Sequence, residues 1–136
     1  MFSMRESVDF EFILCKICQI LHEKKATNIL ALFVGHCSSV TNYLVIAEGF
    51  VERHVQSLAE GVMQNIRERM GIFPHHVEGK MYGEWILLDY LQIIVHLFIP
   101  TFREKFRLEE IWWKGKVIKW GAHRLQEKNQ YRDFNV

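Results

Sequence analysis

Apolar side chains recur at helical spacing in two long parts of the chain. In residues 7–23 they fall at steps of three and four along one stripe, which predicts an amphipathic helix. Residues 51–70 repeat this spacing, and Gly71 then marks the end of a second helix. A third helix is predicted from Thr101, as its cap, to about residue 113. The pattern therefore predicts three helices.

Short apolar runs bounded by turn-forming residues predict the strands. These runs have the length and the β-branched or aromatic content of buried strands. They occupy residues 29–34, 43–47, 85–90 and 93–99, and residues 76–78 predict a short edge strand. Residues 91–92, between the last two runs, leave open either a tight hairpin or a bend. Together with the helices, this order predicts an α+β fold with a mixed β-sheet of about five strands packed by helices.

The composition is that of one folded domain with little net charge. The chain has 136 residues, of which 49% are hydrophobic and 24% are charged, and its net charge is +1. This balance excludes a disordered chain and a uniformly basic nucleic-acid binder. The charge is uneven, because residues 114–136 hold six basic and two acidic side chains, a net charge of +4. We interpret residues 1–113 as the domain and residues 114–136 as a basic, partly ordered C-terminal extension.

The N-terminal region and the cysteines favour a cytoplasmic location. The first residues mix acidic and basic side chains and lack the apolar segment of a signal peptide. The most apolar stretch, residues 85–99, is interrupted by polar side chains and is shorter than the ~18 residues that a membrane-spanning helix needs. Three cysteines are an odd number, which disfavours a closed disulfide framework. We expect a reducing compartment and no membrane contact.

Motifs for catalysis or metal binding are weak. Cys15 and Cys18 have the spacing of a zinc or redox pair, but both fall within a predicted helix, where small buried hydrophobic residues are the more common interpretation. The adjacent His75 and His76 would point to opposite faces of a strand. The sequence has no phosphate-binding glycine loop and no nucleophile elbow. We therefore expect no catalytic residues, no metal and no cofactor.

Asp89 is the polar residue that the strand pattern makes informative. Alternation divides the strand into two faces, with Trp85, Leu87 and Asp89 on one and Ile86, Leu88 and Tyr90 on the other. A carboxylate is costly to bury unpaired, so its face must reach water or meet a cation. In water, Trp85 and Leu87 form an apolar patch around one fixed charge, which is typical of a protein-binding hot spot. Alternatively, Asp89 pairs with an internal cation such as Arg103, or merely ends the strand beside a turn. The residues alone leave these alternatives open.

Several motifs, in the same order along the chain, resemble the ribosomal silencing factors, also called the Iojap family. They are Ser38-Ser39-Val40-Thr41-Asn42-Tyr43, Arg53-His54-Val55, Val77-Glu78-Gly79, Trp85-Ile86-Leu87-Leu88-Asp89-Tyr90, Ile94-Val95-His96 and Leu108-Glu109-Glu110-Ile111-Trp112. The resemblance implies a nucleotidyltransferase-like sandwich without catalytic carboxylates, and it makes residues 1–113 a ribosomal silencing factor domain. A nucleotidyltransferase-like enzyme on the same scaffold is the alternative.

The resemblance also implies a function without catalysis. Members of this family bind the large ribosomal subunit through its ribosomal protein fourteen and sterically block joining of the small subunit, which represses translation. The sheet surface that they use carries, in this sequence, Trp85, Leu87, Asp89 and Tyr90. The resemblance also implies that the free protein forms a homodimer. For the basic extension we expect a peripheral contact of Lys114, Lys116 and Lys119 with ribosomal RNA.

The sequence departs from the family pattern in places that affect structure. Phe33 and Asn42 stand where the family usually has Asp, and Leu91-Gln92 replaces Gly-Asp. Residues 50–52 replace a polar Thr-Ser-Ser, which removes a helix cap worth ~1 kcal/mol. The connection between the last two strands and one acidic contact are therefore open.

Overall fold

A computed structural model describes residues 9–106, 115–118 and 120 of the chain. In this part the helices are α1 (Phe10–Glu23), α2 (Glu52–Met70) and α3 (Pro100–Phe106), and the strands are β1 (Thr27–Phe33), β2 (Tyr43–Glu48), β3 (His76–Glu78), β4 (Trp85–Asp89), β5 (Ile93–Phe98) and β6 (Lys116–Val117). The predicted α+β class is confirmed. The strand count is one higher than the predicted five, because β6 comes from the segment interpreted as an extension.

The strands form one mixed sheet in the order β3-β4-β5-β2-β1-β6. β2 and β5 pair in parallel, and the other neighbours are antiparallel. β4 and β5 form a tight hairpin, in which the Tyr90 N–H donates to the Ile93 carbonyl at 2.8 Å. Leu91 occupies the left-handed region in this turn, with φ of +73°. The open question between a hairpin and a bend is thus answered by a hairpin.

The helices α1 and α2 cover one face of the sheet, and the apolar stripes that predicted them form the main core. Buried residues of this core include Leu14, Ile17 and Leu21 on α1, Leu58, Val62 and Ile66 on α2, and Val45, Ile86 and Val95 on the sheet. We call this side of the sheet the helix-covered face. The Asp9 carboxylate caps α1 by accepting from the Phe12 N–H at 3.1 Å, and Gly71 ends α2 with φ of +68°.

The helices α2 and α3 begin differently from α1, which starts with a side-chain cap. Val51 stands at the N-cap of α2 and makes no side-chain cap hydrogen bond, as the loss of the polar family residues predicted. The prediction that Thr101 caps the third helix is wrong, because α3 already includes Pro100. Proline suits the first helical position, where no N–H is needed. The predicted continuation of α3 to residue 113 lies outside the described residues.

The opposite face of the sheet is buried over β1 and β2 and becomes exposed towards β3. Leu30, Leu32, Leu44 and Ile46 form a second apolar cluster with Phe98, against which Phe102 of α3 packs. We call this side the open-edge face, because its side chains reach solvent on the strands β4 and β3.

Residues 117, 118 and 120 add a further piece to the core. Val117 packs on the open-edge face, whereas Ile118 and Trp120 belong to the core under the helices. The Ile118 N–H donates to the Ala31 carbonyl at 2.8 Å, and Trp120 is only 4% exposed. These described residues therefore contribute side chains to both faces of the sheet beside β1. The domain boundary at residue 113 stays a prediction.

Candidate functional site

Trp85, Leu87 and Asp89 lie together on the open-edge face of β4, and each is partly exposed. Between them, Ile86 and Leu88 point to the helix-covered face and are completely buried. Two-residue alternation thus produces the predicted arrangement of two apolar side chains and one carboxylate. We call Trp85, Leu87 and Asp89 the docking face.

One row of side chains across four strands shows why β4 lies at the boundary between core and solvent. Ile46, His96, Leu87 and Glu78 are paired in register on β2, β5, β4 and β3. Ile46 is fully buried, His96 is 8% exposed, Leu87 is partly exposed and Glu78 is exposed. The docking face therefore lies on a strand beside the buried core and not on a loop.

Asp89 is not neutralised within the described part of the chain. Its Oδ1 accepts from the Leu91 N–H at 2.7 Å, so the residue ends β4 and also holds the hairpin turn. None of the ion pairs among the described residues includes Asp89. Arg103, the internal cation considered from the sequence, instead lies 3.3 Å from the Glu48 carboxylate. The interpretation that Asp89 pairs with Arg103 is therefore wrong.

The Trp85 side chain is held by a hydrogen bond from its own sheet. The indole Nε1–H donates to Nδ1 of His96 at 3.0 Å, and the Trp85 ring lies 5.1 Å from that of Phe98. Because an indole nitrogen only donates, His96 Nδ1 must be unprotonated. Burial lowers the pKa of His96 to about 4, which keeps the ring neutral at physiological pH.

Tyr90 does not join the other three predicted contact residues. Its side chain packs in the core under the helices and is only 8% exposed. The hydroxyl is buried and has no hydrogen-bond partner in the described part of the chain, and burial raises its pKa to about 12. A direct role for Tyr90 in binding stays a prediction.

One of the three predicted nucleic-acid contacts, Lys116, lies at the other end of the sheet from the docking face. Lys116 is exposed on β6, the edge strand opposite β3. Lys114 and Lys119 lie outside the described residues, as does the Leu-Glu-Glu-Ile-Trp motif at residues 108–112. Contact between Lys116 and RNA stays a prediction, and the structure separates it from the docking face by the width of the sheet.

Side chains suited to catalysis or metal binding do not converge in the described residues. No group of three or more His, Cys, Asp or Glu side chains there has the geometry of a metal site. Cys18 is fully buried, and burial together with nearby carboxylates raises the pKa of the Cys15 thiol, which disfavours a reactive thiolate.

A groove of about 340 Å³ between α2 and residues 73–80 is bridged by the ion pair of Glu60 and Lys80 at 2.7 Å. No described helix is long and apolar enough to span a membrane.

The docking face, with two apolar side chains and a carboxylate on one strand of the sheet, has the composition of a protein-binding surface. Comparison with known proteins supplies the family: residues 9–135 match the family model described as ribosomal silencing factor during starvation. The chain belongs to this family, whose members are named as regulatory factors and not as enzymes. The alternative of a nucleotidyltransferase-like enzyme is therefore not supported.

Individual relatives agree with this assignment. The ribosomal silencing factor RsfS of Zymomonas mobilis is 33% identical over 109 residues, which cover 80% of this chain and 81% of the relative. The RsfS of Bacillus subtilis is 32% identical and covers 66% and 75% of the two chains. A mouse relative, named mitochondrial assembly of ribosomal large subunit protein 1, is 24% identical, and the match spans 48% of its length.

Solved structures show the same fold. A crystal structure of a Chromobacterium violaceum protein superposes with a TM-score of 0.75 at 25% identity, covering 85% of this chain and 94% of that one. A Bacillus halodurans protein gives a TM-score of 0.68 at 24% identity, with coverage of 82% and 99%.

Proposed function

We propose that this protein binds the large ribosomal subunit through ribosomal protein fourteen and sterically blocks joining of the small subunit. The observation that carries the proposal is the docking face, where a tryptophan and a leucine lie on the same face as a carboxylate that no described residue neutralises. Family membership supplies the ribosome as the target. In this proposal translation is repressed by occupation of a surface and not by chemistry.

The physical properties of the docking face suit a protein partner. Tryptophan is enriched among the residues that dominate binding energy, and such anchors work best beside a well-packed support. The partly exposed carboxylate of Asp89 favours a partner surface with a positive potential. A standard interface buries about 1,600 Å² in total, which one face of a domain of this size and its rim can supply.

Sedimentation of purified large subunits with this protein tests the proposal. Trp85→Ala removes the anchor and should weaken binding by at least about 2 kcal/mol. Asp89→Lys places a positive charge against a basic partner and should abolish binding. In parallel, added small subunits should fail to join large subunits that carry the wild-type protein and should join in the presence of either variant.

Matched controls lie on the other side of the molecule. Phe73→Ala truncates an aromatic side chain that is 64% exposed beside α2, and Glu68→Lys reverses an exposed charge on α2. Both variants should bind like the wild type. Near-native binding by folded Trp85→Ala and Asp89→Lys proteins would reject the docking face as the ribosome contact.

We also propose a peripheral contact of Lys114, Lys116 and Lys119 with ribosomal RNA. Replacing all three by Gln should flatten the salt dependence of subunit binding, because phosphate contacts release counterions. Substitution is preferable to deletion of the segment, since Trp120 is part of the core. An unchanged salt slope would argue that the basic extension does not touch RNA.

Self-association and location are further proposals. We propose that the free protein forms a homodimer, which sedimentation equilibrium tests through a mass that rises with concentration. A cytoplasmic location is inferred from the sequence; because some relatives are named mitochondrial or chloroplastic, cell fractionation is the direct test.

A further inference from the structure

The docking face depends on a residue that is not part of its exposed surface. His96 lies opposite Leu87 in register and is nearly buried, while its Nδ1 accepts the hydrogen bond from the Trp85 indole at 3.0 Å. The imidazole also stacks on Phe98, with ring centroids 6.0 Å apart and planes inclined by 14°. The Phe98 ring thus restricts the orientation of the imidazole, and the imidazole in turn holds the Trp85 indole through the hydrogen bond.

We propose that His96 is a positioning residue of the docking face, whose Nδ1 fixes the orientation of the Trp85 indole for contact with the ribosome. The inference rests on the function proposed above. A tryptophan on a strand has several accessible rotamers, and ordering it only on binding would cost free energy. Holding the ring in place beforehand removes part of that cost.

The hydrogen bond also defines how Trp85 meets its partner. The single indole donor is used within the domain, so the ring offers its aromatic surface and not an N–H group. An apolar side chain or a cation over the ring fits this surface. A cation there agrees with the basic partner that Asp89 favours.

Two substitutions separate positioning from simple packing. His96→Asn places an acceptor oxygen on the same branch as Nδ1 but loses the ring, and asparagine is disfavoured in strands. His96→Phe keeps a ring against Phe98 and suits a buried strand, but it has no acceptor. If His96 only packs, the Phe variant should be better than the Asn variant in both stability and binding. If His96 positions Trp85, the Phe variant should be the more stable of the two, whereas the Asn variant should bind more tightly.

We expect the following results for subunit binding and thermal unfolding. His96→Phe should unfold near the wild-type temperature and bind about three- to tenfold more weakly, the range that one neutral hydrogen bond supports. His96→Asn should unfold at a lower temperature and bind within about twofold of the wild type. Added to Trp85→Phe, His96→Phe should cause no further loss, because the indole donor is already gone.

An NMR measurement on the free protein reads the hydrogen bond directly. The sequence has four tryptophans, and the ¹⁵N-indole signal that disappears in Trp85→Phe belongs to Trp85. This signal should move upfield in His96→Phe and stay close to its wild-type position in His96→Asn. If the Trp85 signal moves in His96→Phe but this variant binds like the wild type, the positioning role is overturned while the proposed function stands. Wild-type binding by Trp85→Ala would instead reject the proposed function and this inference with it.

Discussion

The guanidinium of Arg103 lies 3.3 Å from the carboxylate of Glu48, and both side chains are largely buried. The same guanidinium donates to the Asn28 carbonyl, and the Asn28 amide donates to Glu48 Oε2 at 3.1 Å. These contacts join α3 to the strands β1 and β2. Arg103, which the sequence analysis considered as a partner for Asp89, therefore holds α3 against β1 and β2 instead.

Arg103→Ala should be strongly destabilising. Removing one partner of a buried ion pair leaves an uncompensated charge on Glu48, which typically costs about 3–5 kcal/mol. Asp89→Asn is the control, because Asp89 makes no ion pair with Arg103, and it should cost about 1 kcal/mol or less. Urea unfolding of the two variants measures the difference. Equal losses would contradict the assignment of Arg103 to Glu48.

Val51→Ser should stabilise the protein by about 1 kcal/mol. Val51 is the N-cap of α2, has extended backbone angles and makes no side-chain cap hydrogen bond, whereas serine would accept from an N–H of the first turn. Little burial is lost, since Val51 is 55% exposed. Val51→Ala removes the same methyl groups without adding a cap and should give no gain. Thermal unfolding of both variants provides the comparison.

Leu91→Gly should leave the protein equally stable or stabilise it by up to about 1 kcal/mol. The left-handed conformation of Leu91 costs a residue with a side chain about 1–2 kcal/mol, which glycine avoids, although glycine also gains freedom in the unfolded chain. Leu91→Ala keeps the strain and should show no gain. A clear loss of stability in both variants would mean that the Leu91 side chain contributes more packing than its 54% exposure indicates, whereas a loss in Leu91→Gly alone would mean that glycine's freedom in the unfolded chain outweighs the relief of strain.

The titration of His96 should make folding sensitive to mild acid. The folded-state pKa is about 4, below the ordinary value of 6.5, because burial disfavours the charged ring. Between these values the unfolded chain binds a proton that the folded chain does not, so stability is complete above about pH 6.5 and falls as the pH falls towards 4. The loss should reach roughly 3 kcal/mol. His96→Phe should lose this part of the pH dependence, and urea unfolding at several pH values compares the two proteins.

The sequence predicted those features that repeat at a fixed period. The apolar stripes of α1 and α2 and the alternation along β4 each extend over enough residues to determine which side is buried. Alternation also separated Tyr90 from Trp85, whereas the family resemblance grouped them on one surface. The structure agrees with the alternation, because a strand reverses its side-chain direction at every residue.

Features that depend on contacts between distant residues were not predictable. The two-residue strand β6 has no measurable period, and Trp120 gave no signal that it enters the core. The bond between Trp85 and His96 depends on the register of the β4–β5 hairpin, which the turn at Leu91 sets. A register shifted by one residue would turn His96 to the other face.

The parallel pairing of β2 with β5 brings Tyr43 opposite Ile93, two residues that are far apart in the chain. A hairpin of β4 and β5 forms from local contacts, whereas this pairing requires closure of the long intervening segment and is the slower event. Until β2 pairs with β5, His96 lacks its neighbour Ile46 on β2, even if Trp85 and Asp89 are already in register with β5. In the proposed function, a chain is therefore competent to dock only after this long-range pairing has formed, so an incompletely folded copy would not occupy a ribosome.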